Sequence, residues 1–175
     1  MSDEISLRRA RPALLWLLAL GVVYAVFCLL LWRAGVPARA VLLPVSAESH
    51  YAWQALFVGP LMSALATLYA WLAWRFAGGS PPRSSFAEAW AALVPRYAGW
   101  VLLGFVVPDL VVFVAAGPGA LAPAMRYYGA VAPIGIVASS VAPLGELTGA
   151  GRPRASGSAL AALVVQALAG APLLR

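Results

Sequence analysis

Five long apolar stretches organise the chain, separated by short polar or Gly/Pro-rich segments. The first is 12–32, PALLWLLALGVVYAVFCLLLW. At about 1.5 Å of rise per residue it reaches roughly 31 Å, the thickness of a bilayer's hydrocarbon core. Pro12 suits a first helical position, where its missing N–H is not needed. Trp16 and Trp32 lie near the two ends, where amphipathic rings favour the headgroup region. The second stretch, 51–74, has Tyr51 and Trp53 at one end and Tyr69, Trp71 and Trp74 at the other, all read as interface markers. Its internal Gly59-Pro60 predicts a kink or local unwinding. The third stretch is 98–116, the fourth is 128–147 and is broken by Pro133 and Pro143, and the fifth is 158–174.

The connections carry the polar residues. Residues 1–11 are a short tail with Arg8, Arg9 and Arg11 just before the first span. Pro37 and Pro44 oppose a long helix in the 33–50 loop. The most polar interior stretch is 75–97. There Gly78-Gly79 ends the second span in the manner of many helix C-termini. Ser85-Phe86-Ala87-Glu88 follows as a capping-box pattern. It predicts a short amphipathic helix over Phe86, Trp90, Leu93 and Val94 that stops before Pro95 and lies at the membrane surface. Residues 117–127 read as a turn and 148–157 as a flexible polar link. Neither an internal repeat nor the inverted duplication of many transporters is visible.

Composition turns this pattern into a membrane protein. Of 175 residues, 63% are hydrophobic and 10% charged, against roughly 45–50% and 25% in soluble domains. A soluble domain of this size has too much surface to hide so much apolar area. The expected architecture is therefore all-α: one transmembrane domain over 1–175, a polytopic bundle of about five spans. The first run has 21 residues, longer than the roughly 7–15 of a secretory signal, and reads as a retained helix.

Charge orients the bundle. The net charge of +6 comes from twelve arginines and no lysine. These arginines sit between apolar runs as topology signals, so nucleic acid is not an expected partner. With the N-terminus in the cytoplasm, Arg8, Arg9, Arg11, Arg75, Arg83, Arg96, Arg152 and Arg154 lie inside, and Arg33, Arg39, Arg126 and Arg175 outside. That excess favours N-inside and, after five spans, C-outside. Richness in Ala, Gly and Pro suggests a GC-rich bacterial genome, and hence the inner (cytoplasmic) membrane.

Reactive chemistry is sparse. Asp109, after Pro108 in FVVPDLVVF, is the most informative side chain. A carboxylate at that depth costs a few kcal/mol unless paired, protonated or wet. Its candidate partners are Gln54, Ser63, Thr67, Ser139 and Gln166, and the candidate polar site is Asp109 with Gln54 and Ser139. A purely structural use is also open, because Pro108 frees a carbonyl and opens the helix locally. Trp53, Trp71, Trp74 and Trp90 are the expected interface anchors.

Glu48 and His50 read as a loop near the interface, and Glu146 as a solvated helix end. Two ligands with no other His make no metal site, and a lone Cys28 makes neither a disulfide nor a multi-Cys site. Ser139-Ser140 has no GxSxG elbow or second His to build a triad. HExxH, CxxC and a phosphate loop with its Lys are all absent. The chain is expected to be no enzyme and to use no cofactor. Gly21, Gly59, Ala64, Gly104, Gly129, Gly135, Gly145 and Gly170 suit close helix packing.

From Tyr51 to Asp109 the order is a Tyr/Trp-led span with an internal Pro, then Gly78-Gly79, then Ser85-Phe86, then an amphipathic run to Pro95 that leads into the next span. This order resembles the Yip family, whose bacterial members show a GG…SF linker before a Pro-terminated helix. The resemblance covers about a third of the chain. Pro81-Pro82-Arg83 and the short N-terminal tail depart from it. It implies five spans and a cytoplasmic N-terminus, and brings no catalytic residues. Eukaryotic members bind Rab GTPases, a role that does not carry over to bacteria. The expected function is a non-enzymatic scaffold or accessory subunit that packs with other membrane proteins or shapes the bilayer. Its expected partners are lipid and other membrane proteins, with a homo-oligomer as a further option. The rival is a small proton- or ion-coupled transporter or channel subunit that uses Asp109.

Overall fold

The computed structural model describes residues 2–38, 46–78 and 84–174, with side chains between 10 and 170. Pro44, Arg39, Gly79, the Pro81-Pro82-Arg83 insertion, Arg175 and the side chains of Arg8 and Arg9 lie outside what is described. The helices are α1 (Ser2–Arg33), α2 (His50–Ala77), α3 (Phe86–Val101), α4 (Val107–Ala116), α5 (Leu121–Tyr128), α6 (Val131–Thr148) and α7 (Arg152–Leu174). No strand occurs among the described residues. Four helical stretches are long and apolar enough to cross a membrane: Ala10–Arg33, His50–Ala77, Phe86–Ala116 and Pro118–Thr148.

Several boundaries differ from the sequence reading. α1 opens at Ser2, so residues 2–11 are helical and Pro12 lies inside the helix instead of at its first position. The helix that opens at Phe86 does not stop before Pro95 but runs on to Ala116. Its start is as read: Ser85 accepts from the Glu88 amide at 3.3 Å while the Glu88 carboxylate accepts from the Ser85 amide at 3.0 Å. Pro95 is tolerated because Ala89, Leu93, Val94, Tyr97 and Ala98 on either side of it are buried against neighbours. That packing outweighs one lost backbone bond. The break comes later, at a π-turn over Leu102–Val106. There the Val107 amide reaches back to the Leu102 carbonyl. The wider turn precedes Pro108, whose ring would collide with the carbonyl four residues earlier in a regular α-helix.

α2 stays α-helical through Gly59 and Pro60 rather than unwinding. Pro133 falls in the first turn of α6, where a missing amide is harmless, and α6 also runs through Pro143. The expected turn at 117–127 is helical after its first residue. Gly117, at φ +77°, makes the reversal, and Pro118–Ala120 starts a short 3₁₀ turn that leads into α5. The expected link at 148–157 shrinks to three residues. Left-handed Gly149 ends α6, and the Gly151 carbonyl accepts from Ala155 in the first turn of α7.

α1 packs on α2 and α3, α2 also on α7, and α6 on α3 and α7. Lipid gives no hydrophobic drive between helices, so close contact must hold them. At the α1–α2 crossing, a Cβ on Gly21 would stand 3.1 Å from the Gly59 Cα. A Cβ on Gly104 would meet the Ala132 backbone at 3.1 Å, which brings the π-turn against α6. Gly135 is covered by the Trp100 indole, and any side chain there would run into the ring.

Gly21→Leu and Gly135→Leu are each expected to cost about 1–3 kcal/mol by overpacking. Gly157→Ala, with nothing within 4 Å of its added methyl, is expected to be neutral or slightly stabilising. Thermal unfolding in detergent checks the contrast.

Candidate functional site

Polar side chains gather at two levels inside the bundle. Tyr69 of α2 is fully buried and donates to Ser140 of α6 at 2.9 Å. Its ring lies against Tyr97 of α3, with centroids 5.3 Å apart. Tyr97 in turn hydrogen-bonds to Gln166 of α7. This cluster joins four helices through side chains that are each less than a tenth exposed. Tyr69 is therefore no interface marker. Its neighbours on the buried face of α2, Leu65, Ala66, Leu72 and Ala73, show why: the ring faces other helices, and its hydroxyl needs a partner there.

The second level surrounds Asp109. The carboxylate is partly buried and accepts a hydrogen bond from the Tyr128 hydroxyl, the last residue of α5. None of the five expected partners holds it. Gln54 is buried on α2 and accepts from the Cys28 thiol of α1 at 3.7 Å. Ser63 donates to the Gly59 carbonyl at 2.9 Å, and Thr67 accepts from the Trp90 indole at 3.0 Å. Ser139 turns to its own helix, donating to the Ile136 carbonyl at 3.3 Å. Gln166 is bonded to Tyr97.

Asp109, Gln54 and Ser139 thus each hydrogen-bond to a residue outside the trio. The buried serine is Ser140, one position and about 100° around the helix from Ser139. Tyr24 of α1 stands within electrostatic range of Cys28, Tyr51 and Asp109. α1 meets α4 where Phe27 lies edge-on to Phe113, with centroids 6.0 Å apart. The missed residues are therefore Tyr24 and Tyr128. Their only signal in the sequence is a phenol within an apolar run.

Of the expected anchors, Trp53 and Trp71 are exposed at 51% and 45%. Trp74 and Trp90 are half-buried, with indole N–H groups given to Ser84 at 3.3 Å and to Thr67. His50 is not in a loop. It opens α2, is 2% exposed, sits edge-on to Tyr51, and leaves its Nδ1 without a partner. Glu48 and Glu146 are exposed. No group of three metal-ligating side chains occurs among the described residues.

These features define a polytopic helical protein of membrane type, with its polar interior groups spent mainly on neighbouring helices. Set beside known proteins, the chain matches no family model, no curated protein and no solved structure.

Asp109→Asn and Tyr128→Phe are expected to couple by about 1–2 kcal/mol, the upper range for polar contacts between membrane helices. A double-mutant cycle on unfolding in detergent measures it, and additive losses would rule out the contact.

Proposed function

We propose that the chain is a non-enzymatic scaffold or accessory subunit of the bacterial inner membrane. The observation that supports this best is the use made of Asp109. Its carboxylate is held by Tyr128, a residue of the hairpin it helps to close. Such a clasp fits a packing role. One buried and one partly buried level of polar contacts stiffen a bundle whose outward faces stay apolar, with Val114 and Leu168 more than 70% exposed. That surface suits neighbouring membrane proteins or lipid.

The chain crosses five times, N-inside and C-outside. The arginine excess supports the orientation. α7, with 23 residues, measures about 35 Å, enough for a fifth crossing. The Phe86–Ala116 helix has 31 residues and measures about 46 Å, so its first turns stand beyond a core of about 30 Å and form the amphipathic cytoplasmic surface element. In this reading the chain is a bacterial relative of the Yip family, resting on the same order of spans and linker.

A second reading, a small proton- or ion-coupled transporter or channel subunit, draws on one observation. The π-turn places a widened helix beside a carboxylate that is only partly buried, and such turns recur at functional positions.

Three measurements test these proposals. Purification in mild detergent is expected to recover the chain with other membrane proteins, and recovery alone as a monomer would count against the scaffold reading. In liposomes, proton or ion flux above protein-free vesicles that Asp109→Asn abolishes would favour the second reading instead. For topology, single cysteines placed at Glu88 and Glu48 in a Cys28→Ala background are expected to be labelled from the cytoplasmic and the outer side respectively.

A further inference from the structure

The flank between α2 and α3 carries an open groove of about 540 Å³, walled by Ser63, Ala64, Thr67, Leu68, Trp71 and Phe86. Its two hydroxyls are already engaged: Ser63 with the Gly59 carbonyl and Thr67 with Trp90. The lining is therefore apolar in effect. Ala64, Leu68, Trp71 and Arg75 follow one another at spacings of four, three and four along α2, which places all of them on one helix face. Exposed Arg75 thus stands at the mouth of the groove, one turn beyond Trp71.

A second guanidinium reaches the same helix end. Exposed Arg154 of α7 donates to the Gly78 carbonyl at 3.1 Å. That bond uses one of its five N–H donors. Among the described residues no carboxylate pairs with Arg75 or Arg154. Two exposed cations thus stand at the end of α2 beside an apolar slot.

We propose that this groove is an anionic phospholipid site. One acyl chain runs along Trp71, Leu68 and Ala64, and the phosphate is held by Arg75 and Arg154. Charge selects this occupant. A guanidinium matches a phosphate in bidentate geometry, and basic pockets between helices take anionic headgroups. A choline headgroup would bring an ammonium towards both arginines. A second copy related by an axis along the membrane normal would bring its own Arg75 to the same depth. The inference goes beyond the function proposed above and depends on neither of its two readings.

The test is native mass spectrometry of the full chain in neutral detergent. Phosphatidylglycerol and phosphatidylcholine with identical acyl chains are offered at equal concentration, and sodium phosphate is a third arm. Phosphatidylglycerol is expected to stay bound, phosphatidylcholine to be lost, and sodium phosphate not to compete. Arg75→Gln and Arg154→Gln are each expected to weaken phosphatidylglycerol binding about fivefold. Ala64→Trp, which fills the slot at an exposed position, is expected to weaken it with both arginines intact. Should Arg154→Gln loosen α7 from α2, Arg75→Gln and Ala64→Trp decide, since neither residue's side chain bonds within the described protein. Equal retention of the two lipids, displacement by sodium phosphate alone, or unchanged binding in Arg75→Gln and Ala64→Trp would overturn the proposal.

Discussion

Hydrocarbon offers no hydrogen bond, and the rest of this structure follows from that. Every backbone amide and carbonyl in the apolar stretches must be satisfied within the chain, so the chain becomes helical. Polar side chains in the bundle gain by finding a neighbour, and most do: Tyr69 meets Ser140, Tyr97 meets Gln166, Cys28 meets Gln54 and Asp109 meets Tyr128. Since apolar contact with a helix is worth little more than apolar contact with lipid, close approach and these few polar bonds supply the specificity. The glycines serve the first need. Gly21 against Gly59, Gly104 against Ala132 and Gly135 under Trp100 bring backbones or rings within reach that a Cβ would block.

The helices and most of their ends were legible because length and polarity are local properties. A run such as 12–32 spans a bilayer on its own, and the Ser85–Glu88 box marks a start that the structure keeps. Prolines misled where tertiary packing overrode a local cost. Pro95 and Pro143 sit inside continuous helices flanked by buried residues, and Pro133 and Pro153 fall in first turns. The widening associated with Pro108 was foreseen as a local opening and takes the form of a π-turn.

The polar site was only half legible. Depth in an apolar run singled out Asp109, but its partner lies 19 residues on, at the residue that opens the run read as the fourth span. The partner is fixed by the reversal at Gly117 and the short helix after it, which no spacing rule foretells. Tyrosine was the blind spot. Tyr69 reads as an interface residue at a span end, yet it is interior, and with Tyr97 it supplies the bonds that join α2, α3, α6 and α7. A phenol buries a large apolar ring while keeping one group that demands a partner. It can therefore anchor a headgroup boundary or lock a bundle interior, and only the fold distinguishes the two.

The central claim is that these apolar helices have hydrocarbon as their solvent. Analytical ultracentrifugation of the purified chain, with detergent present and then removed, tests it most directly. The account predicts a discrete helical particle in detergent and complete loss to aggregates once detergent is gone. A chain that remained dissolved, compact and helical in plain buffer would contradict it.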